Sequence, residues 1–320
     1  MKDYDARLAL VQEGDFKYSI EDSAKILFPT LKNCAYEFTK PLSLEKYKTN
    51  SIGYRNEEFD KDPAYILAAG CSQTWGTGIP DDLTWPKVLS KTTGMSVDNV
   101  GYFGKSTAGI VQIVFAYFRE VGHPRYVYLL LPDLYRMILP ASRGLMHSKK
   151  YSKEKQDMIS NTSIGDTVVS SEKPKYFTVP YYMEEVMTQE FTIWQAMSSL
   201  QILEDYCSNL NIGLKYGTWE TNTEGFFRAL PKDNNFYNNY VDLESDMWSI
   251  HNIENGKEYY MNDPDCHIDF KNETNEMYWE KASDFDIVHK NAHIGAHRHI
   301  HIAEAFAKEL RADQRNLSND

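Results

Sequence analysis

The chain has 320 residues, of which 42% are hydrophobic and 13% aromatic, so it can build a sizeable core and is not disordered as a whole. Its 34 basic and 46 acidic side chains give a formal net charge of −12, which argues against nucleic-acid binding through bulk charge. No apolar run approaches the roughly 18 residues that a membrane span needs. The four cysteines are scattered without close pairing, and the N-terminus lacks the pattern of a signal peptide. We therefore expect synthesis in the cytoplasm, with no membrane and no nucleic acid as partner.

Strand and helix signals alternate along most of the chain after residue 60. The apolar runs predict strands over residues 64–69, 96–100, 126–131 and 213–217. Helical spacing and capping residues predict helices over residues 84–90, 107–120, 191–210 and 296–311. This alternation indicates an α/β fold, in which helices cover both faces of a mostly parallel sheet in three layers, α/β/α. In such sheets the chemistry lies at the carboxyl ends of the strands.

The remaining segments predict additions to this core. Residues 1–60 are predicted as an N-terminal elaboration packed on the core, with one short helix over residues 19–28. Residues 61–320 are predicted as one α/β domain. Two stretches within it, 141–190 and 219–283, lose the alternating pattern and are predicted as long insertions.

A serine stands directly after the first predicted strand, in Gly70-Cys-Ser-Gln-Thr-Trp-Gly76. A serine at such a corner, flanked by small residues, can present its hydroxyl above the edge of the sheet. Its own backbone N–H can then face a developing oxyanion. The same short pattern also fits a tight turn in which the serine caps a neighbouring group.

The longer string GCSQTWGTGIPDDLTWPKVLSK resembles the opening block of the SGNH (GDSL-like) hydrolase family. It is similar to a GCS-x-TWG branch that is common in bacteriophages and marine bacteria. Residues 50–59 resemble the lead-in of that branch, and Asn99-Val-Gly101 resembles the family's N-x-G turn. The resemblance implies an SGNH-hydrolase-like sheet with Ser72 as the nucleophile. It also implies that the N–H groups of Ser72 and Gly101 hold the oxyanion.

The family's third block matches poorly. The family usually supplies an asparagine amide after the third strand, whereas this chain reads Leu131-Pro-Asp-Leu-Tyr-Arg136. An ionised Asp133 cannot donate a hydrogen bond, but Arg136 can donate and carries positive charge, which makes it the candidate third oxyanion donor. Asp133 and Arg136 would equally suit a surface ion pair or a turn cap.

Five of the nine histidines lie within thirteen residues, at positions His289, His293, His297, His299 and His301. One interpretation is a polar helix face with solvated histidines. A second is a metal site, because His293, His297 and His301 are spaced four residues apart. The third rests on the resemblance, whose last block is D-x-x-H with an alanine ten residues after the histidine. His293 and Ala303 have this spacing, which implies His293 as the general base, whereas His289 is out of register. We favour the third interpretation and expect no metal.

The resemblance leaves the orienting acid open. Lys290 stands where the family has aspartate, and a cation there disfavours the imidazolium. Asp286 is our first candidate for the acid. Asp284, a distant carboxylate or no acid at all are the alternatives.

These features together imply a metal-independent serine esterase that needs no cofactor and acts on a small-molecule or glycan ester. Removal of O-acetyl groups from a carbohydrate is the narrower expectation. The alternative is a catalytically decayed domain that binds glycans or serves as a structural module, for instance on a phage particle beside virion partner proteins. The missing asparagine and Lys290 favour this alternative.

Overall fold

The computed structural model describes residues 30–34, 49–59, 62–77, 79–139, 165–167, 189–244, 287–289 and 293–317. The helix predicted over residues 19–28 lies outside them, as do Asp284, Asp286 and Lys290. The strands are β1 (Ile66–Gly70), β2 (Val97–Asn99), β3 (Tyr126–Leu131), β4 (Met137–Leu139), β5 (Gly165–Thr167), β6 (Gly213–Thr218), β7 (Ile287–His289) and β8 (His293–Ile294). The α-helices are α1 (Leu31–Cys34), α2 (Ser72–Trp75), α3 (Trp85–Thr93), α4 (Thr107–Glu120), α5 (Gln189–Asn209), α6 (Thr221–Arg228), α7 (Asn235–Asn239) and α8 (Ala296–Leu317).

A parallel four-stranded sheet organises the described residues, and its strand order is β2-β1-β3-β6. The predicted α/β class is confirmed. Because all four strands are parallel, their carboxyl ends meet at one edge of the sheet. The residues that follow β1, β2, β3 and β6 therefore lie together along this edge.

Helices cover both faces of the sheet. Side chains alternate along a strand, so Leu67 and Leu129 pack on the face of α4 and α5, whereas Ala68 and Tyr128 pack on the face of α3 and α8. On the second face, Phe306 of α8 stacks on Tyr128 with ring centroids 5.0 Å apart. The result is the predicted three-layer arrangement with two cores, one on each side of the sheet.

The stretch predicted as irregular after residue 219 contains two helices in its described part, α6 and α7. Side chains that precede each helix cap it: Glu220 accepts the Thr223 N–H at 2.7 Å, and Asn234 accepts the Phe236 N–H at 2.9 Å. After α7, Tyr240 forms a parallel bridge with Tyr216 of β6. Short capped helices leave little periodicity in the sequence, so the sequence pattern did not indicate them, and the insertion over residues 219–283 stays a prediction.

The segment before β1 packs on the core where it is described. Leu31, Cys34 and Tyr54 are buried in the core on the face of α4 and α5, and the Tyr54 hydroxyl donates to the Leu31 carbonyl at 3.0 Å. The boundary between an N-terminal elaboration and an α/β domain stays a prediction. In the part of the chain that the structure describes, every helix is too short or too polar to cross a membrane.

Candidate active site

Ser72 lies at the carboxyl end of β1, as its position in the sequence predicts. Cys71 is the extended residue that precedes α2, and Ser72 is the half-buried first residue of this helix. The Ser72 carbonyl accepts the N–H groups of Gly76 at 3.0 Å and Thr77 at 3.1 Å, so the helix ends after one turn. Gly76 adopts a positive φ of 84°, which favours glycine. The serine therefore begins a tight, closed turn.

Two glycines allow this turn to pack closely on its neighbours. A Cβ at Gly70 would lie 1.9 Å from Thr74 Oγ1, and a Cβ at Gly101 would lie 2.6 Å from the backbone nitrogen of Trp75. The ends of β1 and β2 thus touch α2 with no room for a side chain. Position 101 therefore requires glycine because it packs against α2. A close approach of a substrate would be a second reason.

Arg55 holds the loop that follows α2. Its fully buried guanidinium donates to the carbonyls of Trp75 and Gly76, and to that of Ile79 at 2.6 Å. It also pairs with Asp81 at 3.3 Å and lies over the Trp75 ring. Residues 50–59 resemble the SGNH lead-in, but no motif in them indicates these contacts of Arg55, which we call the Arg55 clasp.

Asn99 links the ends of β1 and β2. Its side-chain Nδ2 donates to the Thr74 carbonyl at 3.1 Å, and its Oδ1 accepts the Gly101 N–H at 2.9 Å. The Gly101 N–H is thus directed at Asn99 in this structure. Its role as an oxyanion donor stays a prediction, and that role requires the substrate to replace Asn99 Oδ1.

Asp133 and Arg136 lie beyond the end of β3. The Asp133 carboxylate accepts the Tyr135 N–H at 2.8 Å, so of the two alternatives it is a turn cap, and it forms no ion pair with Arg136 in the described part of the chain. Burial raises the pKa of Asp133, and the Tyr135 N–H and the Arg136 charge oppose this shift. The Arg136 guanidinium lies over the ring of Trp219, 5.7 Å from its centroid. The predicted oxyanion role of Arg136 is thus not supported by a contact near Ser72.

The strand that contains His293 lies against the helix that begins at Ser72. The Ile294 N–H donates to Oε1 of the buried Gln73 at 3.0 Å. Gln73 directly follows Ser72, and Ile294 directly follows His293, so this bond links the segments that contain the two predicted catalytic residues. The sequence contains no local signal for this link, because the two residues are 221 positions apart.

The other histidines divide between strand and helix. His293 pairs with His289 in an antiparallel bridge, and α8 begins only at Ala296, so the spacing of four does not place His293 on a helix face with His297 and His301. Burial, followed by the charge of Arg298, lowers the pKa of His301. Among the described side chains there is no group of three or more histidines, cysteines and carboxylates that could hold a metal ion.

Comparison with known proteins identifies no family for the chain. No family model and no curated protein matches it. Among solved structures it is similar to a protein described as lipolytic and of the G-D-S-L family, from Desulfitobacterium hafniense DCB-2. The identity is 12%, the alignment covers 76% of this chain and 97% of that chain, and the TM-score is 0.28. A likeness with this TM-score supports neither a family nor an activity.

Proposed function

We propose that the protein is a metal-independent serine ester hydrolase with Ser72 as nucleophile and His293 as general base. The hydrogen bond between Ile294 and Gln73 carries the proposal, because it joins the residues next to the proposed pair. Ser72 Oγ bonds to the acyl carbon and passes its proton to His293. The bond to the leaving alcohol then breaks, and that alcohol takes the proton. Water then attacks the acyl carbon and passes a proton to His293. The bond from the acyl carbon to Ser72 Oγ breaks, and Ser72 takes the proton back from His293.

The edge of the sheet supports an oxyanion site beside the nucleophile. The Ser72 N–H belongs to the first turn of α2, and Gly101 lies in contact with the same helix. Binding of a substrate oxygen would replace Asn99 Oδ1 as the acceptor of the Gly101 N–H. Asp286 is proposed as the orienting acid.

For the substrate we propose an O-acetyl group on a carbohydrate. The half-buried Trp219 follows β6 at the same edge of the sheet as Ser72, which places an aromatic side chain at the edge where the substrate would bind. The SGNH resemblance in the sequence also favours such esters.

The test compares turnover of p-nitrophenyl acetate by the wild type, Ser72→Ala and Ser199→Ala. Ser199 is a control on α5, where its hydroxyl donates to the Gln195 carbonyl. We expect Ser72→Ala to lose orders of magnitude in rate, because a nucleophile is removed, and Ser199→Ala to retain the wild-type rate. Thermal unfolding checks that both variants are folded. Labelling by a fluorophosphonate, located by mass spectrometry, should modify Ser72. Equal rates for wild type and Ser72→Ala would rule out the proposal.

A second candidate is a decayed domain that binds glycans or serves as a structural module, such as a component of a phage particle. The existing hydrogen bond from Gly101 to Asn99 favours it, because this donor is already satisfied in the absence of substrate. This candidate predicts no turnover and no labelling of Ser72. It also predicts saturable binding of a glycan that Ser72→Ala leaves unchanged.

A further inference from the structure

Arg136 presents a guanidinium without a hydrogen-bond partner at the catalytic edge of the sheet. In the described residues its side chain makes no hydrogen bond, and its Nε is buried without an acceptor. The Trp219 ring supports the guanidinium from one side, and the residue remains partly exposed. Trp219 Nε1 is a second buried donor that lacks an acceptor there. Donors in this state favour a ligand that supplies oxygen atoms.

Carboxylates lie close to Arg136 but are used elsewhere. Asp133 accepts the Tyr135 N–H at 2.8 Å. Glu220 accepts the Thr223 N–H at 2.7 Å and the Asn222 side chain at 3.0 Å. The two carboxylates near this arginine thus accept the N–H groups of a turn and of a helix start.

Two other arginines of the described chain are paired with carboxylates. Arg55 pairs with Asp81 at 3.3 Å, and Arg228 pairs with Asp242 at 2.8 Å. Arg136 differs from both because an aromatic ring, and no carboxylate, fixes its position. An arginine fixed in this way keeps its planar donors available for an external anion.

We propose that Arg136 binds a singly charged anionic group of the substrate, such as a carboxylate, at a distance from the scissile ester. This inference rests on the proposed esterase function. Gly70 is paired with Leu130, and Leu131 with Thr218, so the residues after β1 and β6 are separated by two strand spacings. At about 4.8 Å per spacing, the backbones at Ser72 and Trp219 are separated by roughly 10 Å, and the Arg136 guanidinium lies over the Trp219 ring. A group at this distance recognises a remote part of the substrate and does not contact the oxyanion.

The charged groups near Arg136 favour a ligand group with one negative charge over a group with two. Burial raises the pKa of Asp133, the Glu220 carboxylate adds to this shift, and Arg136 opposes it, so both charges act on Asp133. An anion that contacts Arg136 is repelled by these two carboxylates, and the repulsion is twice as large for a doubly charged phosphate as for a monoanion. The proposed substrates are therefore esters that also carry a carboxylate or a comparable monoanion.

Kinetics with two esters test the proposal. The two esters are 3-(4-acetoxyphenyl)propanoate and its methyl ester, which carry a carboxylate or a neutral group on the alcohol side, as an O-acetylated sugar acid would. We expect the wild type to prefer the carboxylate by about tenfold or more in kcat/KM. Arg136→Met should remove this preference, and the control Arg228→Met should retain it. Arg136→Lys keeps the charge without the planar fork and should also reduce the preference. If Arg136→Met lowers kcat equally for both esters, Arg136 acts at the ester itself and the proposal is wrong.

A binding measurement separates this proposal from the esterase function. Suberate is titrated into 15N-labelled protein, and the Trp219 indole N–H signal is assigned by its loss in Trp219→Phe. We expect a saturable shift in the wild type and in Ser72→Ala, and none in Arg136→Met. If esters are not turned over but this shift is seen, the esterase function fails and the anion site stands. A missing shift in the wild type, or the same shift in Arg136→Met, would refute the anion site.

Discussion

His299 accepts the backbone N–H of Trp85 through its ring Nδ1, at a distance of 3.0 Å. Trp85 is the first residue of α3, so the bond joins this helix to α8 across the second core. The Trp85 indole in turn donates to Thr74 Oγ1 at 3.2 Å. Two hydrogen bonds thus lead from a fully buried histidine to the helix that begins at Ser72. This member of the histidine cluster is a structural residue.

His299→Ala should lower the free energy of unfolding by about 2–4 kcal/mol, because it leaves a cavity and a buried N–H without its acceptor. Urea denaturation measures the change. The control is His123→Ala, whose exposed ring contacts the Tyr206 hydroxyl at 3.1 Å and should contribute less than about 1 kcal/mol. Equal losses for the two variants would contradict the structural role of His299.

His293→Ala should abolish ester hydrolysis, and the variants His289→Ala, His297→Ala and His301→Ala should retain it, because one imidazole occupies the position of the base. Initial rates with p-nitrophenyl acetate measure this. Activity should survive EDTA, since the proposed steps use no Lewis acid. Loss on chelation that zinc restores would instead indicate a metal site in the histidine cluster.

Asp286→Asn should lower kcat strongly if Asp286 orients His293, because the carboxylate stabilises the imidazolium. Lys290→Asp should raise activity if the acid is absent, since it places a carboxylate where the family has one. The measurement is kcat for both variants. If an active wild type is unaffected by either change, the acid is another residue, such as Asp284, or none acts.

Glu204 should make stability depend on pH. It is buried, its Oε1 accepts the Tyr216 hydroxyl and the Asn239 amide, and burial raises its pKa. A carboxyl with a raised pKa favours the fold while neutral, and this contribution is lost as the pH rises through the folded-state pKa. Glu204→Gln should therefore become more stable relative to the wild type as the pH rises above about 4.3, the ordinary pKa of glutamate. Urea denaturation across this range measures the difference.

The control is Ser199→Ala on the same helix, which removes a hydroxyl that donates to the Gln195 carbonyl at 2.7 Å and removes no titratable group. Its stability difference from the wild type should stay constant over the same range. A constant difference for Glu204→Gln as well would show that burial of Glu204 has no effect on its titration.

Elements with strong local signals could be predicted from the sequence. The helix over residues 107–120 has the predicted bounds, because its apolar spacing is regular and Ser106 caps it by accepting the Gly109 N–H. Helices α6 and α7 were missed, since their caps at Glu220 and Asn234 precede only one or two turns. The α8 helix extends to Leu317, beyond the apolar face that predicted residue 311 as its end.

The candidate active site likewise contains residues that local sequence indicates and residues whose contacts it does not indicate. Ser72 and Gly101 lie in short motifs directly after strands, where local sequence is informative. The hydrogen bonds of Gln73, Arg55 and His299 depend on tertiary packing, and no spacing along the chain predicts them. The same holds for Arg136, whose support by Trp219 depends on the adjacency of β3 and β6.

The contacts around Ser72 also differ in when they can form during synthesis. Arg55 binds carbonyls 20 to 24 residues away, so the clasp can form soon after the turn has left the ribosome. The bond from Ile294 to Gln73 spans 221 residues and must wait for nearly all of that intervening chain. The contacts within the serine turn and the contact with the strand of His293 are therefore completed at widely separated stages of synthesis. Under the proposed mechanism, hydrolysis cannot begin until residue 294 has been made and has docked.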